Sequence, residues 1–154
     1  MSDWKRMTKE VPFESLRPEI VEALKNHIKQ YNLGAILADT LMCIQTDSEK
    51  IMKPLFGSAE IVYTGAVITA RWLVWAVSGT KTQPAVLSAQ LSDVVVQDYA
   101  QTQFAKMMPD SGIQISGRFT DVSENGSAFI GLDEGSAAIK FKETVIRAVQ
   151  DEKR

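Results

Sequence analysis

Residues 60–78, EIVYTGAVITARWLVWAVS, leave this chain few folds to choose from. Their β-branched and aromatic content marks two strands about a short turn at Thr69-Ala70-Arg71. With Ala70-Arg71 as the loop, Ile68 falls opposite Leu73, Ala66 opposite Trp75 and Thr64 opposite Val77. That face makes a good core, because small Ala66 leaves room for the indole of Trp75. An antiparallel strand with one wet face should alternate apolar and polar residues. The second face here carries Ile61, Tyr63, Gly65, Val67, Trp72, Val74 and Ala76, and is nearly as apolar as the first. Such a surface cannot stay wet in a soluble protein. Its cover must be a helix of the same chain, a second copy or a partner protein.

The rest of the chain offers one candidate for that cover. Residues 18–31 carry Ile20, Val21, Leu24, His27, Ile28 and Tyr31 at helical spacing. Pro18 suits the first helical position, and Gly34 the left-handed position past the end. An orphan amphipathic helix needs somewhere to bury its stripe, so it is the favoured cover. Residues 1–13, charged and aperiodic, read as a loose arm, and 14–154 as a single domain. Further strands are expected at 35–46, 85–90, 94–99, 113–122 and 127–132, making about seven with the 60–78 pair. Asn125-Gly126 is a type I′ turn signal, pairing Val122 with Phe129 and Phe119 with Leu132. The last segment, about 134–151, reads as a helix with Ala138, Phe141, Val145, Ala148 and Val149 on one face.

Composition excludes several classes. The 154 residues are 45% hydrophobic and 23% charged with net charge −2, the balance of an ordinary globular domain without a general pull toward nucleic acid. Cys43 is the only cysteine and His27 the only histidine, so neither an intrachain disulfide nor a cysteine- or histidine-rich metal site can be built. The N-terminal MSDWKRMTKE lacks the apolar core of a signal peptide, and the expectation is a soluble, cytoplasmic protein.

Short strands followed directly by one amphipathic helix, with VITARWLVWAV and LSDVVVQDY as specific segments, resemble the pleckstrin-homology-like superfamily in its bacterial PH-like and GRAM-like forms. The resemblance is one of pattern over about 35–151. It implies an α+β fold: a partly open antiparallel β-barrel spanning about 35–132, a C-terminal capping helix and, as a departure, an extra N-terminal helix. It also implies headgroup binding by basic residues on the first strands and their loop. The available lysines are Lys50, Lys53 and Lys81. Asp47, Glu49 and Glu60 lie close by in sequence, and EIVYTGAVI has no cation, which argues against tight phosphoinositide binding.

No catalytic set assembles from these residues. His27 falls on the apolar stripe and reads as structural, and Cys43 as an inert core thiol. No cofactor or metal is implied. The expected function is a non-enzymatic binding or scaffold module that engages a protein partner or itself as a homodimer, with Tyr63, Trp72 and Val74 as interface anchors. The alternatives are an anion or lipid-headgroup binder using the three lysines, and a small-ligand carrier or enzyme with a pocket between sheet and helix.

Overall fold

A computed structural model describes residues 3–51, 60–80 and 83–154. Two antiparallel sheets hold the chain together, and neither closes into a barrel. The larger has the order β1 (Trp4–Glu10), β2 (Thr40–Lys50), β3 (Ile61–Thr69), β4 (Trp72–Gly79) and β5 (Ala85–Gln90). The smaller has β6 (Val94–Asp98), β7 (Gly112–Gly117) and β8 (Gly126–Gly131). Helix α1 (Pro18–Gln30) lies between β1 and β2 in the chain, α2 (Phe104–Met107) is a single turn between β6 and β7, and α3 (Ser136–Glu152) ends the fold. No described helix is long and apolar enough to cross a membrane.

The β3–β4 register is the one the hydrophobic pattern sets: Ile68 opposite Leu73, Ala66 opposite Trp75 and Thr64 opposite Val77. Ala70-Arg71 is a poor intrinsic turn, and Thr69 compensates for it. Its hydroxyl accepts the N–H groups of Arg71 at 3.2 Å and Trp72 at 2.9 Å. The inner face joins Met42, Ile44, Leu91, Val94, Ile113, Ile115 and Ile130, with Phe141 and Val145 of α3, in one core. The outer face is covered by the same chain. Leu16, Ile20 and Leu24 pack on Cys43, Val67, Val74 and Ala76. Gly65 permits the close approach, since a Cβ there would stand 2.7 Å from the Ile20 methyl.

Three expectations need correction. Residues 4–10 are not part of a loose arm, because Trp4–Glu10 pairs along β2 from Lys50 to Ile44. The inward side chains of this strand are Arg6 and Thr8, whose polarity disguises the period of two. Next, β2 begins at Thr40 after a 3-10 turn and runs on to Lys50. The last hairpin forms, but its first strand ends at Gly117 rather than 122, and the two-residue turn at Asn125-Gly126 is absent. In β7–β8, Ser116 faces Ser127 and Gln114 faces Phe129. The left-handed residue of the connection is Asp121, at φ +61°, rather than Asn125 or Gly126. Phe119 explains the change, because it leaves the strand to meet Trp75 edge-on at 5.8 Å between centroids, inside the core.

Side chains join the two sheets where no ladder does. Arg6 donates to both carboxylate oxygens of Asp110 at 2.9 and 2.6 Å and to Ser48 Oγ at 2.6 Å. Asp133 accepts the Thr8 N–H at 2.8 Å, and the Thr8 hydroxyl accepts the Asp133 N–H at 3.0 Å. At the opposite corner Ser88 donates to Thr120 Oγ1 at 2.7 Å, and the Thr120 N–H returns to the Ser88 carbonyl at 2.8 Å.

Candidate functional site

The residues expected to form an interface are largely covered. Val74 is buried beneath α1 and presents no surface. Tyr63 is half-buried, with the Arg17 guanidinium 3.8 Å from its ring centroid. Trp72 is also half-buried, and it lines an open cleft with Tyr31, Arg118 and Asp121. Of the lysines, Lys50 stands near the Trp4 ring, 5.8 Å from its centroid, on the strand that carries Asp47 and Glu49. Lys53 and Lys81 lie outside the described residues. Tyr63, Trp72 and Val74 are thus not gathered on one exposed face.

The most chemically structured cleft lies between α1 and residues 120–122, with a volume of about 670 Å³. His27 is 8% exposed at its wall. Its Nε2 lies 2.8 Å from Ser88 Oγ. The single hydroxyl proton of Ser88 goes to Thr120, so the imidazole must be the donor, as the Nε2–H tautomer. Burial lowers the His27 pKa, which keeps the ring neutral at pH 7. The spacing is that of a histidine–serine dyad, but Ser88 is wholly buried and cannot present its oxygen to a substrate. The trio instead staples α1 to β5 and the 118–125 connection. Tyr31 bridges the cleft mouth by donating to Asp121 at 3.1 Å, and this bond raises the Tyr31 pKa. Cys43 lies buried under α1, where desolvation pushes its thiol up to about 12, so it is no nucleophile at neutral pH. Among the described residues no three His, Cys, Asp or Glu side chains converge as metal ligands.

A second feature is made of backbone. Among the described residues strand β6 is an edge, paired only with β7. The Arg118 N–H donates to the Asp93 carbonyl on the β7 side at 3.2 Å, just before the ladder that sets Val94 opposite Gly117. The alternation of an antiparallel ladder then turns the backbone groups of Val95 and Gln97 toward β7, and those of Val94, Val96 and Asp98 away. The Val94 carbonyl confirms the phase by accepting from Lys153 Nζ at 2.7 Å. At the other end Lys142 holds the Asp98 carboxylate at 2.9 Å. Helix α3 therefore runs antiparallel alongside β6, with a lysine at each end of the open edge and Val96 between them. Sequence reading marks the strand at 94–99 and the last helix. It does not foresee the two lysines, whose roles depend on the helix phase relative to the strand.

No family model, curated protein or solved structure matches this chain.

Proposed function

We propose that this chain is a non-enzymatic protein-binding module on a pleckstrin-homology-like scaffold, and that β6 beside α3 is its receiving edge. The two antiparallel sheets and the C-terminal helix packed on them support the scaffold reading; β1 and α1 are additions to that plan. The carrying observation is Val96, whose backbone N–H and C=O face away from β7 without a hydrogen bond to another described element. An extended segment laid there would gain main-chain hydrogen bonds, with α3 as the second wall of its groove. Lys153, whose Nζ rests on the neutral Val94 carbonyl, favours a carboxylate at one end of that segment, whereas Lys142 is already paired with Asp98. A second copy is one such segment. A two-fold axis through Val96 sets Val94 opposite Asp98 of the other strand, and both have outward backbone groups.

The anion-binding reading retains only Lys50 among the described residues, and the small-ligand reading rests on the open His27 cleft. Neither has a comparable set of unsatisfied groups.

The test is selection of peptides from a displayed library on the native chain, followed by titration against Val96→Pro. Proline removes the outward N–H at a position where an edge strand tolerates it. Affinity should fall at least tenfold relative to Val96→Ala, which loses the same core packing but keeps the N–H, and light scattering of these proteins reports whether self-association falls with it. Peptides that bind the proline variant as well as the native chain would overturn the proposal.

A further inference from the structure

In α2 the amphipathic pattern is turned inside out. Phe104 and Met107 stand at i and i+3 on one face of the helical turn, and Met108, at φ −131° and ψ 82°, caps it. In α1 and α3 such a stripe is buried. Here Phe104 is 58% exposed, Met107 84% and Met108 71%. The segment is nevertheless well tied. The Tyr99 hydroxyl donates to the Met108 carbonyl at 2.6 Å, and the Tyr99 ring meets Phe129 edge-on with centroids 5.0 Å apart. Thr102 Oγ1 donates to the Tyr99 carbonyl at 2.7 Å, and the Met108 N–H closes the turn on Phe104 at 2.8 Å. Fixed bonds at its base therefore hold the apolar face outward.

Charge adds direction. The carboxylates at the two stems are engaged elsewhere, Asp98 with Lys142 and Asp110 with Arg6. Lys106, exposed between them, has no ion-pair partner among the described residues. The turn thus offers three apolar side chains and one cation, with both flanking anions neutralised.

We infer that this turn docks on a lipid surface, with Phe104, Met107 and Met108 entering the acyl boundary and Lys106 reaching headgroup phosphates. Shape favours lipid over protein. One convex turn offers far less than the roughly 800 Å² per side that a stable protein pair buries, whereas a bilayer adapts to any protrusion. Three side chains give reversible binding, strengthened by anionic headgroups through Lys106. This inference does not depend on the β6 groove, because the apolar side chains it uses play no part in that proposal.

The experiment is co-sedimentation of the full chain with vesicles of phosphatidylcholine alone and of phosphatidylcholine with phosphatidylserine. Binding to both is expected, stronger with phosphatidylserine. Phe104→Ser should weaken it about tenfold, the loss expected from one buried aromatic side chain. Lys106→Glu should abolish the gain from phosphatidylserine, and both variants should melt like the native chain. In Phe104→Trp, acyl-brominated lipid should quench the added fluorescence. Three outcomes would overturn the inference: no sedimentation with either vesicle at millimolar lipid; binding that survives Phe104→Ser with Met107→Ser but is lost in Lys50→Glu; or a Phe104→Ser effect confined to concentration-dependent self-association.

Discussion

At pH 7 His27 is neutral, with its Nε2–H given to Ser88 and its ring centroid 4.7 Å from that of Tyr31. In the unfolded chain the same group takes up a proton near pH 6.5. Because burial lowers the folded pKa, the unfolded state binds more protons across the window below that value. Stability should therefore be at its full value above about pH 6.5 and fall as pH drops toward and through the folded pKa. Urea midpoints measured from pH 7.5 down to 5 should show this slope, and His27→Gln should flatten it. Arg6 is the other residue on which much depends. Its side chain is 10% exposed and that of Asp110 is 16%, so Asp110→Ala strands a nearly buried guanidinium. The expected cost is about 3 kcal/mol, read by urea titration. Neither role is visible in a string of letters. His27 sits on an apolar stripe, which marks it as structural but does not reveal Ser88, 61 positions away. Arg6 looks like a surface cation because its carboxylate partner lies 104 positions along the chain.

Elements were legible where their inward side chains are apolar. The β3–β4 register and the buried stripe of α3 follow directly from sequence, because hydrophobic periodicity is a local signal. The same signal fails in β1 and at the end of β2, where Arg6, Thr8, Thr46 and Ser48 face one another between the sheets. Polar residues at inward positions erase the alternation that marks a half-buried strand. The 118–125 segment misleads in the opposite way, since a strong local turn signal at Asn125-Gly126 loses to the burial of Phe119 against Trp75. The packing of α1 on the sheet can be tested at this scale. Gly65→Val would drive a branched side chain into Leu16 and Ile20 and should cost about 1–3 kcal/mol. Leu24→Ala, which opens a cavity under the same helix, should cost about 2–5 kcal/mol. Equilibrium denaturation reads both, and a near-zero effect of the pair would mean that α1 does not seat on β3 and β4.

For the molecule as a whole, the five-stranded sheet has two apolar faces and this chain fills both, one with the smaller sheet and α3, the other with α1. The greasy hairpin is therefore spent on folding, and the two proposals rest on other surfaces, the β6 edge and the α2 turn. Residue-resolved hydrogen exchange on the free chain tests that division directly. Amides of α1 and of Val67, Val74 and Ala76 should be protected together, close to the level of the inner core, while Val96 exchanges fast between protected Val95 and Gln97. A protected Val96, or an α1 that exchanges freely while β3 and β4 stay closed, would contradict the account.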